Sequence, residues 1–500
     1  MGNKQNIKKI AVIGGGIAGL AAAYSLEKEA ADNGVSIKID LIEKQSRIGG
    51  NILTEEVDDF IVEGGPDCVF SEKPASLKLC EKLGLEEELL KTREEKKGTY
   101  VYWNNKLHDL PEGVILMIPT MIMPILLSSL ISFPGKMRMA IEPFIPKRTN
   151  PAEESLSDFV TRRLGKELLN KIAEPLVAGI HAGNPETMSI NASFPRFVDL
   201  EQKYGSLIRG MLSRRKEMLS MMKGKTPKYT MFMSLKKGLQ ELTDNIQNTL
   251  RNTNKLTDYQ VVTVIKKNSG FEASLKAGGI KFYDSVIIAT PSYITATLLR
   301  GLDSHLADIL FEIPYASTAT VSLAYSASDL NHINNGFGFI VPGISNRKIM
   351  AATYTSNKFS YRAPDGSMLL RCFVGGPKNE DLVFLDDREM EKMVRNELKE
   401  IAGIESKPIF TKIYRWEKAM PQYVIGHINR IKKIEELTAK HPGLYLTGSA
   451  YNGIGISDCI STSSKVAEEA VRFLNRSGPE AQFGKENRTG RFPQESRPKS

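Results

Sequence analysis

Cysteine and histidine are scarce and scattered. The four cysteines, Cys68, Cys80, Cys372 and Cys459, form no CxxC pair, and the six histidines show no HExxH or His-x3-His spacing. Neither a disulfide scaffold nor a zinc site is expected. Glycine (40) and proline (24) keep ordinary shares beside 41% hydrophobic and 25% charged residues, which excludes collagen-like, mucin-like and wholly disordered chains. A signal peptide is not expected either: the basic Met1–Lys9 segment leads into an apolar run broken at Gly14, Gly15 and Gly16. Long uncharged runs are limited to Val114–Phe133. Its twenty residues could span a bilayer, but Pro119 and Pro124 would each remove a helix hydrogen bond. A buried helical hairpin is expected first, then a monotopic surface or an apolar channel, and a spanning helix last. The 500 residues amount to about three domains at ~150 residues each.

The net charge of +9 is local. Residues 203–237 carry ten Lys or Arg against the single acid Glu217, and the last 26 residues add six against three. Aromatic interleaving in the basic stretch is thin, with only Tyr204, Tyr229 and Phe232, so no nucleic-acid partner is expected. A solvated basic face, an anionic substrate and an anionic lipid remain open. From Asn475 onward apolar content and periodicity vanish, and a disordered tail is expected.

The chain starts as a βαβ unit: an apolar strand over Lys9–Ile13, a glycine turn, an Ala/Leu-rich helix and a second strand over Ile37–Glu43. Gly14, Gly15, Gly16, Ile17, Ala18 and Gly19 fit G-x-G-x-x-G, which permits a tight turn, close backbone approach to a pyrophosphate and helix-on-strand packing. The phosphates would lie on the helix N-terminus, and Glu43 is placed to accept from an adenosine ribose.

After Glu43, the run Lys44 to Asn51 with Arg47, Gly49 and Gly50 resembles the second signature of glutathione-reductase-like flavoproteins of the amine-oxidase-type superfamily. The resemblance implies that Glu43, Lys44, Arg47, Gly49 and Gly50 approach the ribose and diphosphate. Asn51 stands where Lys or Arg is common. By the same resemblance, Val262 in the strand Asp258–Ile265 presents its backbone to adenine, and Ser285–Pro291 is a returning strand of the nucleotide sheet. Near the C-terminus Gly448, Ile454, Gly455 and Ile456 lie in a glycine-rich turn before a helix, able to approach a ring system and to stabilise negative charge on it. No second G-x-G-x-x-G occurs, so oxygen or a quinone is expected as electron acceptor rather than a nicotinamide.

Six motifs in order carry a closer resemblance, to the protoporphyrinogen and coproporphyrinogen oxidases of haem synthesis, Gram-positive type, over about residues 8–474. They are Glu63–Asp67, Trp103–Pro111, Glu174–Gly183, Phe359–Gly366, Trp416–Tyr423 with Gly426 and His427, and Thr447–Cys459. The resemblance implies non-covalent FAD and six-hydrogen oxidation of a porphyrinogen by three molecules of oxygen, coproporphyrinogen III first and protoporphyrinogen IX second, with hydrogen peroxide released. Gly65, Pro66, Asp67 and Trp416 join the cofactor contacts. Lys73 is a propionate contact, and Ile340 and Phe359 flank the macrocycle. Thr99 stands where plant members carry a propionate-binding Arg. No catalytic acid or base is expected, because the flavin carries the chemistry; His181, where the family usually has Tyr, and His427 are expected to be structural.

The expected fold is α/β plus α+β: a Rossmann-like FAD domain (1–75, 228–297, 440–474), a mixed-sheet substrate domain (76–111, 298–439), a helical, membrane-associating insertion (112–227) and the tail (475–500). The expected location is the cytoplasm or, peripherally, the inner face of the membrane, with the next enzyme of haem synthesis as a partner. An amine oxidase or carotenoid desaturase of the same superfamily is the alternative, and a non-catalytic flavin or lipid scaffold a more distant one.

Overall fold

Alternation within the first strand decides where it sits. In β1 (Lys8–Ile13), Ile10 and Val12 pack with the helices on one face, while Ala11 and Ile13 pack with a second cluster on the other. A strand apolar on both faces belongs at the centre of a parallel sheet covered on both sides. The computed structural model describes residues 7–96, 98–111, 114–115, 118–119, 122–221, 228–330, 333 and 335–476. With β1 in the middle, the five-stranded sheet runs β3-β2-β1-β4-β5, where β2 is Ile37–Ile42, β3 Thr253–Leu256, β4 Ser285–Ile288 and β5 Leu444–Leu446. Every pairing in it is parallel.

Helix α1 (Ile17–Asp32) buries Ala21, Ala22, Ala23 and Leu26 against β1 and against α2 (Ile456–Arg476), which contributes Ala467, Ala470, Val471 and Leu474. The alanines let the first and last helices of the domain approach closely. The opposite face is covered by the antiparallel strands Val261–Lys267, Gly270–Leu275 and Ile280–Tyr283.

The domain boundaries differ from the sequence expectation. Helix Ala75–Lys82, expected in the substrate domain, inserts Leu77, Leu79 and Cys80 into the α1–α2 core; helix His427–Thr438 likewise gives Ile431, Ile434 and Leu437 to the opposite face of the nucleotide sheet. Amphipathic helices go to whichever apolar face is unfilled, irrespective of chain order.

The second sheet has seven strands in the order Phe410–Pro421, Tyr315–Ser326, Ser367–Gly375, Ile349–Tyr354, Gly338–Ile340, Tyr100–Trp103, Lys106–Asp109. It is mixed: Gly338–Ile340 pairs in parallel with Tyr100–Trp103 and the other pairings are antiparallel.

Between the sheet's early strands the chain inserts helices with their own core, including Phe159, Ile172, Val177 and Phe197. The uncharged run Val114–Phe133 is not the expected helical hairpin. Val114–Ile115 and Ile118–Pro119 pair as a short antiparallel ribbon, followed by the six-residue helix Ile122–Leu127. Proline accounts for this: Pro119 cannot continue a helix, and Pro124 is tolerated only within a first turn. Among the described residues no helix is long and apolar enough to cross a membrane. The basic stretch is partly neutralised, since Lys228 pairs with Glu81 and Glu86, and Lys236 with Glu88. Lys223, Lys225 and the tail from 477 lie outside the described residues.

Candidate cofactor and substrate site

At the carboxyl end of β1 the chain departs for β2 and β3 on one side, and β4 and β5 lie on the other. Open parallel sheets bind ligands at such a switch point. The turn is built for close approach. Gly14 has φ +105°, donates its N–H to Ile42 O at 2.8 Å, and a Cβ on it would fall 2.9 Å from Ala289 O. Gly15 N–H donates to Glu43 Oε2 at 2.7 Å, and Gln45 N–H donates to Oε1 at 2.9 Å. Glu43, half-buried, is thereby oriented just past the end of β2.

A second loop closes over the turn. Gly49 N–H donates to Gly15 O at 2.9 Å, and a Cβ on Gly50 would lie 2.8 Å from Gly16 Cα. Arg47 donates to Ile52 O at 2.8 Å and to Gly50 O, so its guanidinium braces this loop from within. The Lys44 side chain is exposed. Gly65 packs on Asn51 O with no room for a side chain. Helix α1 has neither a side-chain cap nor an acid in its first turn, which leaves its leading N–H groups without a capping partner within the helix. Uncapped donors behind a cradle of side-chain-free backbone suit a diphosphate.

Around this cradle the other predicted segments assemble. Tyr259 N–H donates to Glu43 O at 3.0 Å, which brings the Val262 segment beside Glu43. The strand register shifts between Val261 and Thr263, skipping Val262. A bulged residue is left out of the ladder, so its backbone groups are free for another partner. At the other end Thr447 N–H donates to Ile288 O at 3.0 Å, docking the Gly448–Ile456 turn beside β4. Tyr423 Oη accepts from Gly453 N–H and donates to Ser449 O, both at 2.7 Å, closing that turn as a ring. Lys73 reaches it too, with Nζ 2.7 Å from Asp458 Oδ2, while Ser457 Oγ donates to Lys73 O at 2.8 Å.

Gly64 and Gly65 are also where the two sheets meet. Gly64 O accepts from Trp416 Nε1 at 2.9 Å and Thr320 Oγ1 at 2.8 Å, and Gly65 O from Arg371. Lys358 lies 2.8 Å from Asp67 and 3.3 Å from Cys68 Sγ. Arg362, fully buried, donates to Lys236 O, Leu235 O and Ser234 Oγ, 3.9 Å from Glu63. Burial opposes ionisation of Asp67, but Lys358 and Arg371 outweigh it and hold the carboxyl below its usual range. At Glu63 burial wins over Arg362 and the pKa rises. Lys358 and Arg371 were not singled out in the sequence; their carboxylate and carbonyl partners lie about 300 positions upstream, and no local spacing marks them.

Burial, with the Lys73 ammonium as a second cause, pushes His181 down to about 4. His427, stacked on Tyr423 at 4.0 Å between ring centroids, is pushed to about 4 chiefly by burial. Neither ring is charged near neutrality. Ile340 borders the helical core at 8% exposure. Phe359 is completely buried, with the cations of Lys358 and Arg362 over its ring.

Residues 17–471 match the family model described as flavin containing amine oxidoreductase. The chain belongs to that family. This flavoprotein is similar to the coproporphyrinogen III oxidase of Bacillus subtilis, with 35% identity over 470 residues covering 93% of this chain and 98% of the relative. It is similar also to the chloroplastic protoporphyrinogen oxidase 1 of Spinacia oleracea, at 31% identity over 93% of this chain and 84% of that one. A crystal structure of a protein assigned as a protoporphyrinogen oxidase from Exiguobacterium sp. 255-15 superposes with a TM-score of 0.81, at 31% identity, over 93% of this chain and 99% of that one. The α/β plus α+β architecture is that of the family, and the flavoprotein is an FAD-dependent oxidoreductase. FAD, when bound, supplies the two-electron acceptor that no side chain provides. The residues that would hold it are Gly14–Gly19 with the start of α1 at the diphosphate, Glu43 at the ribose, and the Gly448–Ile456 turn at the ring system.

Proposed function

We propose that the flavoprotein oxidises a porphyrinogen to the porphyrin in haem synthesis, coproporphyrinogen III in preference to protoporphyrinogen IX, with oxygen as acceptor and hydrogen peroxide as by-product. The observation that carries this reading is end-to-end similarity to relatives named for these substrates, joined to a site whose carboxylates are each engaged by a neighbouring donor and whose two histidines are held neutral. Lys73 is the propionate contact, half in solvent at the ring end of the cradle. Ile340 contributes to the apolar wall. Tyr423, Trp416 and the glycine loops hold the cofactor segments in register and exclude water, and His181 and His427 stay neutral while they do so. The porphyrin then passes to the next enzyme of haem synthesis.

The reading extends to a membrane surface. Phe133, Met137, Ile141 and Phe144 follow helical spacing and are 75%, 51%, 48% and 80% exposed. Glu142, buried beneath them, accepts from Leu207 N–H at 2.9 Å and so caps the basic helix Leu207–Met221. An apolar stripe beside cations suits peripheral attachment to an anionic leaflet. Sedimentation with anionic vesicles, lost on Phe133→Ser with Phe144→Ser, checks this; wild-type protein left entirely in the supernatant removes it.

Anaerobic stopped-flow mixing of the yellow protein with coproporphyrinogen III and, separately, protoporphyrinogen IX tests the activity. Bleaching, then recovery of colour with porphyrin fluorescence and peroxide on admitting oxygen, is the expected result. No bleaching with either substrate refutes the reading and turns attention to amines and polyenes.

A further inference from the structure

The Lys73–Asp458 ion pair is unequal in a way that matters for an anionic ligand. Asp458 is the third residue of α2, receives Gly455 N–H at 3.3 Å, and packs so closely under Gly453 that a Cβ there would fall 2.5 Å from its carboxyl carbon. Its side chain is 17% exposed, that of Lys73 54%. The backbone of Lys73 is anchored through its carbonyl to Ser457, but its four-carbon stem lies in solvent and can swing. The same ammonium also acts on His181, at the end of the helix Glu174–His181 in the helical insertion. A carboxylate arriving from solvent can take the ammonium while Asp458 stays in place.

We infer that Asp458 is a positioning residue that parks Lys73 and competes with substrate carboxylates for it, so that only a ligand with a well-placed carboxylate displaces the pair. This rests on the proposed role of Lys73. The signature is one of sign. A pair that only braces the structure loses ligand affinity when either partner is removed. A competing pair gains affinity when the acid is removed and loses it when the base is removed.

The test uses holoenzyme and coproporphyrin III, a tetracarboxylate, titrated by fluorescence quenching, with its tetramethyl ester as the uncharged control. Asp458→Asn is expected to tighten coproporphyrin binding about two- to fivefold and Lys73→Met to weaken it about fivefold, the size of a partly exposed ion pair. Asp458→Asn added to Lys73→Met is expected to change nothing further, and the ester to bind all variants alike. Asp458→Ser, which keeps a capping oxygen without charge, should repeat the Asn result. Unchanged binding in Lys73→Met overturns both this inference and the role of Lys73. Weakened binding in Lys73→Met without tightening in either Asp458 variant overturns the competition alone. Flavin loss in both Asp458 variants also overturns it, because the carboxylate would then serve the cradle rather than Lys73.

Discussion

The diphosphate cradle and the seam between the two sheets share Gly64 and Gly65, yet they are held in opposite ways. The cradle is made by leaving side chains out: Gly14, Gly50 and Gly65 bring backbones together where a Cβ would not fit, and Glu43 and Arg47 brace the loops from the side. The seam is made by burying charge: Asp67 with Lys358, Glu63 near Arg362, and Arg371 on the Gly65 carbonyl. A steric device fails all at once, because no small rearrangement makes room. A charge device fails by degrees, because removing one partner leaves the other unpaired and removing both can restore the balance.

Four experiments sharpen that contrast, in falling order of effect. Gly14→Val places a branched side chain on a φ of +105° against Ala289 O and should abolish FAD retention. A folded variant that stays yellow would show the cradle to be plastic. Lys358→Met strands Asp67 in the interior and should cost about 3–5 kcal/mol in denaturant unfolding, with Asp67→Asn in the same chain recovering much of it. Equal losses in the single and double variants would show that packing, not charge, holds the seam.

Acid should separate the seam from the histidines. His181 and His427 titrate near 4 when folded and near ~6.5 when unfolded, so the unfolded chain takes up protons first. Stability then falls as pH drops from about 6.5 to about 4, by up to about 1.4 kcal/mol per pH unit for each ring. The Asp67 contribution has the same sign but another cause and a lower window: Lys358 and Arg371, against burial, depress its folded pKa, so it is complete above the ordinary carboxylate range and lost only below it. His181→Tyr should reduce the slope by one ring's share in unfolding midpoints measured across this range; an unchanged slope would show that His181 titrates normally. Smallest, charge reversal at Arg214, Arg215 and Lys216 on the exposed helix should move stability by no more than about 0.5 kcal/mol. It should raise KM for a tetrapropionate substrate severalfold at low salt and not at high salt. A salt-independent KM would leave this helix as solvated surface.

The same contrast explains what the sequence made legible. Gly14–Gly19, Glu43 and the Gly49–Gly50 pair declare themselves because an absent side chain and its consequence are neighbours in the chain. The docking of Trp416 on Gly64 O and of Lys358 on Asp67 spans 352 and 291 positions and leaves no periodic trace. Phe359 illustrates a second limit: an aromatic within a family motif is as readily a plug beneath two cations as a wall for a ligand. Val114–Phe133 illustrates a third, since the apolar count points to a helical hairpin but the two prolines choose the ribbon and the short helix.

The parallel sheet also imposes an order on biosynthesis. Its strands are gathered from residues 8 to 446, and the helix that covers α1 is the last described element of the chain. At ~5–20 residues per second, β1 and α1 wait roughly 20–90 s for β5 and α2 to emerge. Until then the alanine face of α1 lacks its cover and the ring end of the cradle has no turn. A chain that stops before α2 lacks the helix that follows the ring-end turn and covers α1, so a yellow molecule is one whose translation ran through α2.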